Sequence, residues 1–571
     1  MANVADVSHG TVFKGAGVVG GIRYARAVWI SSRPELPEAG AVIAEEVREH
    51  EQARFDTAAE IVADRLLARS EVASGAAAEV LKATAGMVND RGWRKAVAKG
   101  VRQGHPAEYA VVAATDKFIV MFEKAGGIIA ERTTDLRDIR DRVIAELRGE
   151  PEPGLPDVEG QVILFADDLS PADTAALDTD LFVGLVTELG GPTSHTAIIA
   201  RQLNVPCIVA AGRTISTIES GTKVLIDGSL GTIVLDADEA DALAQVEESI
   251  EQAARIAEWR GPAQTSDGHR VQLLANVQDG ATSQTAADTE AEGIGLFRTE
   301  LCFLSATEEP SVEEQAHIYS QVLEAFPESK VVVRTLDAGS DKPVPFTSMP
   351  DEMNPALGVR GLRIARENTG LMTRQLDAVA KAATDLGRGY EAPTWVMAPM
   401  VATADEAKWF AELCRERGLI AGAMVEVPAV ALMADKIMPH LDFVSIGTND
   451  LTQYAMAADR MSPELAYLTD PWQPAVLRLI KMTCDEGQRQ DVPVGICGEA
   501  AADPLLAVVL TGFGVNSLSA ASSALAAVGA QLAEVDLGTC RKAAEVALDS
   551  EGAAEARDAV RAILRAAADS R

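Results

Sequence analysis

Basic residues are scarce in this chain. Lysine and arginine total 51 against 85 aspartates and glutamates, a net charge of −34. A chain this acidic is unsuited to general nucleic-acid or anionic-membrane binding, because its mean field repels polyanions. The same field favours solubility and a partner with a basic face. Aromatic residues are few, at 4%, and the apolar fraction of 47% fits a globular protein. The six cysteines (207, 302, 414, 484, 497 and 540) are dispersed and form no C-x-x-C pair. That excludes a disulfide framework or a zinc site of the usual spacing and fits a reducing compartment. No run of about 18 apolar residues is present, so no membrane span is expected. The opening "MANVADVSHGTVFKG" lacks the basic stretch and apolar core of a secretory signal. A cytoplasmic location is therefore the expectation.

What is present divides by pattern. At roughly 100–200 residues per domain, the length suggests three domains, or two if one is a large barrel. Residues 1–35 are Gly- and Val-rich and read as strand. From 36 to 149, segments such as "AVIAEEVREHEQARFDTAAEIVADRLLA" and "TDLRDIRDRVIAELRG" carry apolar residues at helical spacing. They predict four or five packed amphipathic helices. The punctuated stretch "GEPEPGLPDVEG" ends this region, and residues 150–236 alternate short apolar runs with turns, a compact α/β unit. Residues 237–261 read as one polar connecting helix. From 262 to 571, eight apolar runs alternate with helical segments: "VQLLANV", "GIGLFRT", "VVVRTLD", "TWVMAPM", "GAMVEVP", "DFVSIGTND", "PVGICGE" and "NSLSAAS". Eight such units predict a (β/α)8 barrel. The fold class expected is multidomain α/β: an α/β unit with a helical-bundle insert, followed by the barrel.

Function in such a barrel sits at the C-terminal ends of the strands. There the sequence places Arg298, Arg334, Glu426, Asn449, Asp450 and Cys497, with Arg460 in a following loop. One strand-end arginine is ordinarily a solvated or ion-paired surface group. Several on one face form a clamp for carboxylate and phosphate oxygens. Glu426 and Asp450 are hard oxygen ligands of the kind that hold Mg²⁺. Cys497 is either an apolar wall residue or a proton donor.

Before the barrel lies "LGGPTSHTAIIARQLNVPCIV", where a Gly-Gly turn runs through His195 into a short apolar helix. A phosphate on that histidine would meet free N–H groups and the positive end of the helix dipole. Thr193, Ser194 and Thr196 add hydroxyls. By position alone, His195 is equally an ordinary polar residue at a helix start.

In order along the chain, "GGPTSHTAIIARQLNVPCIV", "GIGLFRTE", "RTLDAGSDK", "NPALGVRGLR", "MVEVP", "DFVSIGTNDLTQYAMAADR" and "GICGEAAADP" resemble the motifs of a known family. That family is enzyme I of the bacterial phosphoenolpyruvate-dependent sugar phosphotransferase system, and the resemblance covers nearly the whole chain. It implies a swivelling phosphohistidine domain. It implies that His195 takes a phosphoryl group from phosphoenolpyruvate and passes it to a histidine-containing phosphocarrier protein, releasing pyruvate. It further implies that Arg298, Arg334, Asn449, Asp450 and Arg460 bind substrate and that Glu426 and Asp450 hold Mg²⁺. Cys497 matches the proton donor, and Thr174 matches the threonine that orients the histidine. The helical insert resembles the carrier's docking surface, and family members dimerise through the barrel. Two departures stand out. Pro192 replaces a common arginine, and "GVVGGIRYARA", with Val19 and Arg23, replaces a Ser-x-Gly-Ile-Ala-x-Gly pattern.

Related dikinases and synthases share the histidine domain and barrel but need a large ATP-binding region, and no Gly-rich phosphate loop occurs here. Nitrogen-regulatory relatives usually carry a further sensory domain. A non-catalytic paralogue that binds the carrier would be expected to lack His195, an arginine or a metal ligand. All are present, so an active enzyme is expected.

Overall fold

The run Val162–Ala166 is apolar and buried at every position, the mark of a strand covered on both faces. Side chains alternate across a strand, so these residues feed two cores. Ile163 and Phe165 pack with Val186, Ile208 and Ile226. Val162, Leu164 and Ala166 pack with Leu185, Ala200 and Val209 on the other face. The computed structural model describes all residues except 1–4, 8–9, 31–33, 38–41, 73–75, 126–131, 151, 157, 170–172, 174–176, 192–193, 305–307, 340–343, 345–351, 390–393, 461, 466 and 570–571. It divides into two compact units, residues 1–253 and 254–571.

The first unit is built on a nine-stranded sheet. Its strands are β1 (Ala5–Val7), β2 (Gly10–Lys14), β3 (Ala16–Val19), β4 (Ile22–Trp29), β5 (Val162–Ala166), β6 (Phe182–Thr187), β7 (Cys207–Val209), β8 (Lys223–Asp227) and β9 (Thr232–Leu235). The order is β1-β2-β9-β8-β4-β5-β6-β7-β3, with β4 to β7 parallel. The departing segment "GVVGGIRYARA" forms β3, a turn and most of β4.

Between β4 and β5 the chain leaves the sheet to form helices α1 (Glu45–Val72), α2 (Ala76–Val88), α3 (Arg91–Arg102), α4 (Ala107–Ala125) and α5 (Thr133–Arg148). These have a core of their own. Phe55, Ala59, Val62 and Leu66 recur at helical spacing on α1 and meet Trp93 and Val97 of α3 and Ile139 and Val143 of α5. Trp93 is fully buried, and its indole N–H donates to Thr115 Oγ1 at 3.1 Å, so burial costs it no hydrogen bond.

In the second unit all eight expected runs are strands: β10 (Gln272–Val277), β11 (Gly293–Arg298), β12 (Lys330–Arg334), β13 (Thr394–Ala398), β14 (Ile420–Val425), β15 (Phe443–Gly447), β16 (Val494–Cys497) and β17 (Ser517–Ala520). Each pairs in parallel with the next, and β17 returns to β10 through pairs such as Leu518 with Leu273, closing the barrel. The outward residues of every strand join one large core beneath the surrounding helices. The polar helix Glu239–Glu258 runs across the boundary between the units and buries Ala242. Among the described residues no helix is long and apolar enough to cross a membrane.

Candidate active site

The ends of the barrel strands converge on a cavity of about 620 Å³. Arg298, Arg334, Asn449, Asp450, Arg460 and Cys497 line it. Glu426 follows directly after β14 and is fully buried, behind the cavity wall beside Gly447, which does line it. The residues singled out at the barrel mouth are thus brought together, because parallel strands of one barrel all end at the same face.

Arg334, the last residue of β12, is locked in place. Its Nη2 donates to Glu300 Oε1 at 2.5 Å, and Nη1 lies 3.3 Å from Asp337 Oδ2. Its buried Nε finds no partner among the described residues, so one donor stays available to an anion. Asp450 is gripped from two sides, by Arg360 Nη1 at 3.2 Å and Arg460 Nη1 at 3.6 Å. Arg360 also donates to both oxygens of Asp337, at 3.1 and 3.0 Å. Asp337 and Asp450 are therefore held by charge-assisted bonds from the buried fork of Arg360, with Arg460 adding an ion pair to Asp450.

Glu426 is the exception. Its Oε1 accepts from the Met400 backbone N–H at 2.6 Å, whereas its buried Oε2 finds no partner among the described residues. Met400 adopts a left-handed conformation (φ 60°), uncommon for a side chain of its size, to aim that N–H. Burial, followed by the charges of Asp337 and Asp450, pushes the Glu426 carboxyl up to about 8. Gly447 makes room beside it, since a Cβ there would stand 2.9 Å from Glu426 Oε2. Gly447 also precedes the helix Thr448–Met456, whose first turn has no side-chain cap. Gly447, Asn449 and Asp450 at this helix start line the cavity, and the first N–H groups of a helix have no intrahelical acceptor, which suits an anion. Cys497, at the end of β16, is buried, and burial raises its thiol above the ordinary range.

In the first unit, His195 is the first residue of the helix His195–Leu203, one position earlier than the sequence pattern suggests. Ser194 is its N-cap and accepts from the Ala197 N–H at 3.3 Å. Thr196 is fully buried and donates to Asp168 Oδ1 at 3.0 Å. Two of the three expected hydroxyls are thus engaged in holding the helix start. Thr174, Pro192 and Thr193 lie outside the described residues.

Glu300, Asp337 and Arg360 were not singled out in the sequence, although three of the quoted motifs contain them, "GIGLFRTE", "RTLDAGSDK" and "NPALGVRGLR" respectively. The pairings of Glu300 with Arg334, of Asp337 with Arg360 and of Arg360 with Asp450 span 34, 23 and 90 positions of chain, which no local pattern encodes.

An arginine and carboxylate clamp at a barrel mouth is the site of an enzyme for small multiply charged anions. Residues 253–537 match the family described as "PEP-utilising enzyme, PEP-binding domain". Residues 158–231 match its mobile domain and residues 14–132 its N-terminal part. A phosphoenolpyruvate-protein phosphotransferase of Streptomyces coelicolor is 46% identical over 557 residues, covering 97% of this chain and 99% of that protein. Proteins of the same name from Haloferax volcanii and Bacillus subtilis are 38% and 35% identical, covering 88% and 75% of this chain and 91% and 77% of theirs. The chain belongs to the phosphoenolpyruvate-protein phosphotransferase family of transferases.

Proposed function

We propose that the chain transfers the phosphoryl group of phosphoenolpyruvate to its own His195 and then to a histidine-containing phosphocarrier protein, releasing pyruvate. This would be the first step of sugar uptake by a phosphotransferase system. The observation that carries the reading is the clamp of Arg298, Arg334 and Arg460 around one cavity with Asp450 and Cys497, in a chain of this family.

Phosphoryl transfer is mainly positioning and charge neutralisation. In this reading the three arginines hold the phosphate and carboxylate of the substrate, with Asn449 and the N–H groups at the start of the Thr448–Met456 helix. The P–O bond to the enol oxygen breaks as a P–N bond forms at the unprotonated Nε2 of His195, leaving enolpyruvate. Cys497 gives its thiol proton to C3 of that product, and its raised pKa keeps the proton available. Thr174 orients the histidine.

Glu426 and Asp450 fit a divalent cation. The unpartnered buried Oε2 of Glu426 and the crowd of carboxylates that raises its pKa are what a hard cation relieves. Bound there, Mg²⁺ would neutralise charge on the substrate's oxygens. The helical insert, acidic along α1 and basic along α3, is the carrier's docking surface in this reading, and the phosphohistidine domain swivels between donor and acceptor. The protein acts in the cytoplasm as a homodimer paired through the barrel.

The test is phosphoryl transfer from labelled phosphoenolpyruvate with Mg²⁺, comparing the wild type with His195→Ala. Acid-labile, base-stable label that is absent from the variant is expected. Label that persists in His195→Ala overturns the choice of nucleophile, and a folded wild type that takes no label overturns the activity.

A further inference from the structure

Small barrels of this kind are filled by layers of branched apolar side chains. Here only part of the interior follows that rule, where Val332, Met397, Met424 and Phe443 pack together. The strands β15, β16 and β17 instead send in Ser445, Gly495, Ser517 and Ser519. Ser445 stands one inward position below Cys497 on the paired strands β15 and β16, its hydroxyl favouring the thiolate, and Cys497 lines the substrate cavity above it. Below, Ser445 and Ser517 line a second cavity of about 10 Å³, with Lys330 at the opposite end of the barrel. That volume is about one water molecule, and hydroxyls and an ammonium supply the polar partners a buried water needs. Gly495 keeps the seam open, since a Cβ there would stand 2.6 Å from Ser517 Oγ. Lys330, the first residue of β12, is half-buried, with its ammonium 3.8 Å from the centre of the Trp395 ring. It faces aromatic rings and serines, with no carboxylate paired to it among the described residues.

We propose that this seam resupplies the proton of Cys497 from the N-terminal end of the barrel, through Ser445, one water and Lys330. The inference rests on the reading of Cys497 as the proton donor. After C3 of the enolate takes the thiol proton and its oxygen becomes the carbonyl of pyruvate, a thiolate remains. The Ser445 hydroxyl gives its proton to the sulfur and takes one from the water. The water takes one from the Lys330 ammonium, which regains one from solvent. At the end of the cycle the thiol is neutral again and Lys330 is an ammonium, as at the start. Burial also lowers the Lys330 pKa to about 8, which eases release of its proton. The path leaves the substrate mouth free of any proton donor from solvent, so a bound substrate does not block recharging.

Ser445, Ser517 and Lys330 do not touch substrate in this scheme, so their signature is a split between first and later turnovers. Ser445→Ala and Lys330→Met should transfer label from phosphoenolpyruvate to the chain at the wild-type rate in a rapid-quench first turnover. With the phosphocarrier present, steady-state pyruvate release should fall about tenfold or more, with KM unchanged. Ser445→Thr, which keeps the hydroxyl, should restore it. A wild-type steady-state rate in either folded variant overturns the path. So does an equal loss in first turnover and steady state, which marks a structural effect, and failure of Ser445→Thr to restore turnover while it folds. Cys497→Ala serves as the separate control. If it releases pyruvate at the wild-type rate, the assignment of Cys497 fails first.

Discussion

Arg334 shows what a single side chain contributes at the mouth of the barrel. Glu300 and Asp337 fix its guanidinium before any substrate arrives, so little ordering entropy remains to be lost on binding. Arg334→Ala should therefore lower kcat/KM for phosphoenolpyruvate by about 10²–10³-fold, the scale of losing one preorganised charge-stabilising donor. Steady-state kinetics of the purified variant checks this, and a loss under about tenfold would remove Arg334 from the clamp. A second residue acts through pH. Burial, only partly offset by the charge of Arg132 and reinforced by that of Asp138, leaves the Asp135 carboxyl raised to about 6 from 3.8. A carboxyl raised in the folded state binds protons that the unfolded chain has released. Its contribution is complete below about pH 4 and is lost as pH rises through about 6. Asp135→Asn should thus leave thermal stability unchanged near pH 4 and raise it by about 1–2 kcal/mol at pH 7, the full shift being discounted for partial exposure. Unfolding curves at the two pH values decide it.

Elements of this fold are held at their ends, and the barrel helix Pro504–Phe513 is the clearest case. Asp503 caps it by accepting from the N–H groups of Leu505 and Leu506 at 2.9 and 3.2 Å. Its other oxygen accepts from the buried Trp472 indole at 2.7 Å. Asp503→Ala removes a cap and strands a buried donor, so a loss of about 2–3 kcal/mol is expected. Asp503→Asn, which keeps the capping oxygen, should lose less, and denaturant midpoints of the two variants compare them. Helices such as α1 were legible from apolar residues at helical spacing, and the strands of the barrel as short apolar runs between helical segments, because a strand covered on both faces is apolar throughout. The start of the His195 helix was legible only to within a residue. Ser194, His195 and Thr196 are all acceptable at a helix start, and the capping bond to the Ala197 N–H selects Ser194.

Across the whole molecule, the two units carry separate cores. A ligand that binds the barrel stabilises what it binds, by about 2.7 kcal/mol at a hundredfold excess over its Kd. Phosphoenolpyruvate with Mg²⁺ should therefore raise the calorimetric transition of residues 254–571 and leave a second, lower or higher, transition in place. A uniform shift of all heat absorption would contradict independent cores. The net charge of −34 belongs to this scale too. Docking of a basic carrier face on α1, where acidic residues outnumber basic ones, should weaken as salt rises, since screening acts beyond about 10 Å at 0.1 M. Titration of the carrier at rising ionic strength measures this, and affinity indifferent to salt would sink the charge argument.

By itself, the sequence determined the eight barrel strands, the helical insert and which side chains stand at the strand ends. Each follows from spacing along the chain, where neighbours in sequence are neighbours in structure. Only the tertiary structure decided that Arg360 grips Asp450, that Glu300 locks Arg334 and that Glu426 keeps a bare oxygen. Those facts depend on which distant residues closure of the barrel sets within about 3 Å of one another, the reach of a hydrogen bond. The polar seam beneath Cys497 is of the same kind. Ser445, Gly495 and Ser517 are unremarked residues of three strands until parallel pairing sets them side by side.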